Sequence, residues 1–382
     1  MPLICLDTPQ FHLLEGIRGT DAARYVSFIE TWRSRGCTLV FTMAQASELG
    51  RYENEARRKA RYPVLSDLAP IRTDLPVRDS MSGGPRTFVE REILRAMIER
   101  DIIRAANPDV DSLAKWAEIL PGPLSASEGV ALAVIEMESY KDLLKREYEA
   151  SRFEAAAEKS HGQAEKRGRV RDLPNSPLTV EELAAGRAGM QKALASVQDM
   201  SERGELPRLP ADAIPQIARY AEEFYGRAAE VGCREALLER LPVCGLASDK
   251  VLKLEMDELV EYYLFQSCVR SFARDVLNVD TSCQEFLVRT LGPRDCPGFW
   301  LHMRLDLCIR RRVREPKPSH HFDAERLAYL PYVDLMLTDK EMAEFVREIR
   351  DDESSPPKIR NTRPAVRISG SIDALEEAVC SL

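Results

Sequence analysis

The chain has 382 residues, 44% of them hydrophobic, with 54 lysines and arginines against 62 aspartates and glutamates and a formal net charge of −8. That apolar content buries a substantial core, in one elaborated domain or in two to three smaller ones. The acidic balance excludes a chain that coats nucleic acid indiscriminately, no apolar run is long enough to cross a bilayer, and Met1 to Asp7 lack the basic flank and apolar stretch of a signal peptide, so a cytoplasmic location with no membrane partner is expected.

Residues 3–6 form a short apolar run that predicts a strand, and Asp7-Thr8-Pro9 ends it because proline limits further pairing. Residues 21–35 carry Ala22, Tyr25, Val26, Phe28, Ile29 and Trp32 at helical spacing, closed by Gly36. Residues 38–42 are β-branched and aromatic and predict a second buried strand, after which a helix beginning near Met43 carries Glu48.

From about residue 78 to 306 the pattern changes to helices alone, over 88–106, 127–160, 179–202, 211–230, 234–241, 248–277 and 282–291. Thr179 with Glu182 and Ser282 with Glu285 match the capping box, while residues 161–177 are polar, basic and proline-containing and read as a loop. No fixed-period repeat marks a solenoid. Toward the other end, a helix over 322–330 stops at Pro331, a strand covers 332–338 and a helix covers 339–350. A linker over 351–364, a strand over 365–369 and a helix from Ser371 to Cys380 follow.

Strands alternating with helices at both ends predict an α/β fold, a parallel sheet flanked by helices and split by a large all-α insertion. The parts are residues 1–77, the insertion 78–306, and residues 307–382. Nine cysteines contain no Cys-x-x-Cys pair, so reduced, buried thiols are expected in place of zinc ligands or a disulfide framework.

The chemistry lies in where carboxylates fall. Asp7 directly follows the first strand and Asp339 follows the strand 332–338, which puts both at the carboxyl edge of the sheet, where open parallel sheets bind ligands. Asp323 opens the preceding helix, and Glu48 lies about two turns into the helix after residues 38–42. Taken singly, each acid has a bland reading: Asp323 and Asp339 as helix caps, Asp7 as a turn residue, Glu48 as a solvated helix residue. Together they raise one another's pKa, a repulsion that a hard divalent cation resolves. Magnesium or manganese suits oxygen ligands and assists attack of water on phosphorus, so phosphodiester hydrolysis is the natural reaction.

Positive charge clusters at Arg57 to Arg61, at Lys166 to Arg171 and most densely at Arg310, Arg311, Arg312, Arg314 and Lys317. The ordinary reading of each is a solvated face; the last leads into the helix of Asp323, so Arg310, Arg311, Arg312 and Lys317 are candidates for holding a phosphate backbone. His320 and His321 are weaker candidates for contact with substrate or metal. Trp32, Trp116 and Trp300 read as core in preference to base-stacking platforms.

The segment Phe322-Asp323-Ala324-Glu325-Arg326-Leu327-Ala328-Tyr329-Leu330-Pro331-Tyr332-Val333-Asp334-Leu335-Met336-Leu337-Thr338-Asp339-Lys340 resembles the carboxyl-terminal motif of bacterial PIN-like nucleases. Leu6-Asp7-Thr8 and the passage from Val40 to Leu49, with Glu48, are similar to that family's first two acidic motifs. The resemblance covers about residues 1–60 and 320–382. It implies a PIN-like parallel sheet and a magnesium- or manganese-dependent endonuclease, usually acting on RNA, with Asp7, Glu48, Asp323 and Asp339 as the catalytic, metal-binding acids. It says nothing of the helical insertion, which separates Glu48 from Asp323 and offers a lid, a channel or a surface for a protein partner. The alternative is a non-catalytic nucleic-acid-binding or regulatory protein on the same scaffold. A toxin or defence effector restrained by a partner is a further biological role compatible with the same chemistry.

Overall fold

A three-residue apolar strand, Leu3–Cys5 (β1), opens the chain in the computed structural model, which describes residues 1–50, 61–73, 87–102, 119–120, 256–312, 318–362, 366–367 and 370–382. Asp7 has extended backbone and caps helix α1 (Thr8–Thr20): its carboxylate accepts from the Thr8 amide at 2.7 Å, and Gln10 Oε1 accepts from the Asp7 amide at 2.9 Å. Pro9 lies in the first helical turn, where its missing N–H is no loss. The Asp-Thr-Pro sequence therefore starts a helix as well as ending the strand.

Helix α2 (Ala22–Ser34) is capped by Asp21 and buries Tyr25, Phe28, Ile29 and Trp32 as their spacing predicts, whereas Val26 is exposed. Gly36 takes the positive φ of 63° that turns the chain into β2 (Thr38–Phe41). Then come α3 (Met43–Gly50), α4 (Tyr62–Asp67) and β3 (Ile71–Thr73); the last two are short elements that the residue pattern does not announce. Helices α5 (Phe88–Glu99), α6 (Met256–Asp275), α7 (Thr281–Thr290) and α8 (Pro297–Arg312) follow among the described residues.

Helix α9 (Pro318–Leu327) begins earlier than expected, because Pro318 rather than Phe322 stands at its start, so Asp323 lies in the second turn. A 3-10 turn at Leu330–Tyr332 precedes β4 (Leu335–Thr338), which is shorter than the strand expected from the sequence. The chain closes with α10 (Lys340–Asp351), α11 (Pro357–Arg360), β5 (Val366–Arg367) and α12 (Ile372–Cys380). The expected linker thus contains a helical turn, which buries Ile359.

All strand pairs are parallel, in the order β3-β2-β1-β4-β5. Ile4 pairs with Leu39 on one side and Leu335 on the other. Asp334 fixes this register, since its amide donates to Leu3 O at 2.8 Å and its carboxylate accepts from the Leu3 amide at 2.7 Å.

The strands are buried on both faces with a period of two. Ile4, Leu39, Phe41, Leu335 and Leu337 pack with Phe11, Phe28, Trp32 and Leu375, while Cys5, Val40 and Met336 pack with Trp300, Leu305, Leu327, Phe345 and Ile349. No helix among the described residues is long and apolar enough to cross a membrane.

Two compact units divide the chain, residues 1–162 with 268–382 and residues 163–267. Helix α8, through which the expected boundary at residue 306 passes, packs against α9 and α10 in the first unit. Its amphipathic face meets the sheet layer, a fact that periodicity alone does not specify.

The start of α8 is tightly built. The Glu92 carboxylate of α5 accepts from the amides of Gly298 and Phe299, each at 2.7 Å, and from the Tyr332 hydroxyl. A Cβ at Gly298 would lie 2.5 Å from Ala328 O and would overlap the Phe88 ring. Gly298→Ala is therefore expected to destabilise the fold by about 1–3 kcal/mol, measurable by urea unfolding.

Candidate active site

The strand order reverses between β1 and β4: β1 is followed outward by β2 and β3, and β4 by β5. In such sheets the connections leaving the two central strands turn to opposite faces and leave a crevice beyond the strands' carboxyl ends. Asp7 follows β1 and Asp339 follows β4, so these two acids flank that crevice. Asp339 is exposed and caps α10, accepting from the Met342 amide at 2.8 Å.

Glu48 reaches the same edge through α3. Its Oε2 accepts from the Thr8 hydroxyl at 2.6 Å, one residue from Asp7. Gln45 locks this approach, because its amide nitrogen donates to Leu6 O and its Oε1 accepts from the Thr42 amide at 2.6 Å. The ends of β1 and β2 are thereby tied together, with Asp7 and Glu48 just beyond them. Neither Thr8 nor Gln45 is conspicuous in the sequence, since hydroxyl and amide side chains near strand ends carry no signal of their own.

Asp323 enters from α9, which packs against α3. Three residues further along the same helix face stands Arg326, 1% exposed. Its Nη1 lies 3.1 Å from Asp7 Oδ1 and donates to Leu337 O at 2.8 Å; its Nη2 donates to Asp323 Oδ1 at 2.8 Å and to Thr338 Oγ1 at 3.4 Å. One guanidinium therefore joins the end of β1, α9 and the end of β4. An arginine next to Leu327 and Ala328, at i+3 from an acid, is the clue that the sequence offers.

The electrostatics centre on Asp323 and Asp7. Burial raises Asp323 to about 7; Arg326 pulls it down, while Asp7, Glu48 and Asp339 push it up. Asp7 is also raised, by burial first, against Arg326 and the Thr8 amide, with Asp339 adding to the rise. Burial alone would lower Arg326, but Asp7 and Asp323 more than offset this and hold it charged. The Arg326 guanidinium pairs directly with two of the four carboxylates, Asp7 and Asp323.

Among the described residues no group of three or more His, Cys, Asp or Glu stands at metal-ligand spacing. Asp7 and Asp323 bond to Arg326, Glu48 accepts from Thr8, and Asp339 caps its own helix. The donor set is nevertheless all oxygen and gathered at one sheet edge, the chemistry that suits a hard divalent cation.

The other candidates fare unequally. Arg312 is exposed and pairs with Glu348 at 2.5 Å, its guanidinium 5.8 Å from the Phe345 ring centre. Arg310 and Arg311 lie on α8, but their side chains, like Lys317, fall outside the described residues. His320 Nε2 is 3.9 Å from Glu341, and the His321 side chain is not described. Trp32 and Trp300 are buried in the core, and Trp116 lies outside the described residues. The seven described cysteines are thiols outside any disulfide; Cys233 and Cys244 lie outside the described residues. In comparison with known proteins, the chain matches no family model, no curated protein and no solved structure, so its functional reading rests on these residues.

Proposed function

We propose that the chain is a divalent-metal-dependent endonuclease with PIN-like architecture, acting on phosphodiester bonds in RNA. One observation carries the reading: Asp7, Glu48, Asp323 and Asp339, drawn from both ends of the chain, gather at the switch point of a parallel sheet, where the other three push the Asp323 carboxyl up. A fold has no need to gather four acids at one sheet edge, whereas a cation site does.

Asp7, Glu48, Asp323 and Asp339 would hold magnesium or manganese, which supplies polarisation of the phosphoryl group and activation of water when bound. The protein's own contribution is orientation. Thr8 holds the Glu48 carboxylate, Gln45 joins the strand ends beneath it, and Arg326 fixes Asp7 and Asp323. Burial of Asp7, Glu48 and Asp323 excludes bulk water from the carboxylates and strengthens their pull on a cation. Incubating the full chain with manganese and either single-stranded RNA or DNA tests the reading: metal-dependent cleavage supports it, and intact substrates overturn it.

Arg326 also favours a second reading, a non-catalytic nucleic-acid-binding or regulatory protein in which the guanidinium permanently neutralises part of the cluster. That reading requires no binding of manganese. In either case, replacing Arg310, Arg311 and Arg312 together by Gln tests the basic cluster. If these arginines hold phosphates, the variant binds RNA more weakly and the plot of log affinity against log salt flattens by about 0.7 for each phosphate no longer neutralised, whereas a solvated face leaves the slope unchanged.

A further inference from the structure

We propose that Arg326 is the site's resident counter-ion: its guanidinium holds Asp7 and Asp323 in place in the metal-free chain and shares their charge with an incoming divalent cation. The inference rests on the metal-site reading above and assigns a positioning role that the four-acid motif does not contain.

Two features carry it. Arg326 bonds to every segment that brings an acid to the crevice except α3, since it reaches Asp7 after β1, Asp323 on α9, and Leu337 and Thr338 immediately before Asp339. It is almost fully buried, so no solvent screens its charge from the acids. A cation entering among the same carboxylates would supply compensation of the kind that the guanidinium now gives to Asp7 and Asp323, and the two effects would overlap instead of adding.

The consequence is a stability coupling that can be read without any assay of cleavage. Thermal melting of wild type, Arg326→Met and Arg326→Lys would be compared in chelator and in excess manganese chloride. In chelator, Arg326→Met is expected to melt roughly 10 °C below wild type, with Arg326→Lys between them because it keeps the charge but cannot bridge both acids. Manganese is expected to raise the melting temperature of Arg326→Met by more than that of wild type. Equal shifts in the two proteins would overturn the counter-ion role while leaving the metal site standing; no shift in either would overturn both. If Arg326→Met does not fold, the double variant Asp323→Asn with Arg326→Met decides. Recovery of folding supports charge compensation, and continued failure to fold assigns Arg326 to its bond with Leu337 O and overturns the proposal.

Discussion

Asp339→Asn is expected to lower manganese-dependent RNA cleavage by at least about 100-fold while leaving thermal stability nearly unchanged. The separation follows from what Asp339 does in the metal-free chain. Its carboxylate serves as the cap that accepts from the Met342 amide at 2.8 Å, and asparagine caps a helix about as well as aspartate. Its side chain is exposed, so no buried partner is stranded by the loss of charge. Asp339→Ala would confuse the two effects by removing the cap as well, at about 1 kcal/mol. Asp7→Asn should lose cleavage to a similar degree, but it also removes a partner of buried Arg326, so its stability is a less clean control. Initial cleavage rates and thermal melts on the same preparations check the expectation; undiminished cleavage by Asp339→Asn removes that acid from the machinery.

The largest expected effect on stability lies away from the crevice, at Glu92. Glu92→Ala leaves the Gly298 and Phe299 amides and the Tyr332 hydroxyl without their acceptor, at an expected cost of about 3–5 kcal/mol. Glu92 also gives the fold a pH dependence. Burial lifts it from the ordinary 4.5 to about 7, against the opposing pull of Tyr332 and the two amides. The folded chain therefore holds this proton more tightly than the unfolded chain does. The stabilisation is complete below pH 4.5 and is lost as the pH rises to about 7, a change of about 3 kcal/mol. Urea unfolding at pH 5 and pH 8 should show wild type losing more stability across that interval than Glu92→Gln. Equal losses would assign the pH dependence to other groups.

Much of this site can be read directly from the residues. Asp7 and Asp339 follow apolar runs that mark strand ends, and an acid at that position of a parallel sheet is conspicuous. Trp32 and its helical neighbours define a core face by spacing alone, though Val26 shows that not every apolar residue in such a pattern points inward. Other elements hide for physical reasons. Pro9 ends a strand and starts a helix equally well, so α1 is masked by the residue that begins it. Strand β3 has three residues and too little periodicity to register.

Arg326 is the instructive omission. A charged residue on a short helix reads as solvated, and only the tertiary arrangement, with the end of β1 and the end of β4 on either side, encloses it. Glu92 hides in the same way: its neighbours Ile93 and Leu94 mark a buried helix, but its partners lie more than 200 residues away. Helix α8 is not among the helices that the residue pattern predicts, and the surface its apolar face meets is built from distant segments. The residues that define chemistry are legible where they follow an element boundary, and illegible where burial depends on distant segments.

Calorimetric titration of manganese chloride into the wild-type chain and Asp339→Asn, side by side, tests the four-acid site most directly. If these carboxylates form one cation site, wild type gives saturable binding and Asp339→Asn binds at least about tenfold more weakly. Absence of binding to folded wild type at millimolar manganese, or equal affinity in the two proteins, contradicts it.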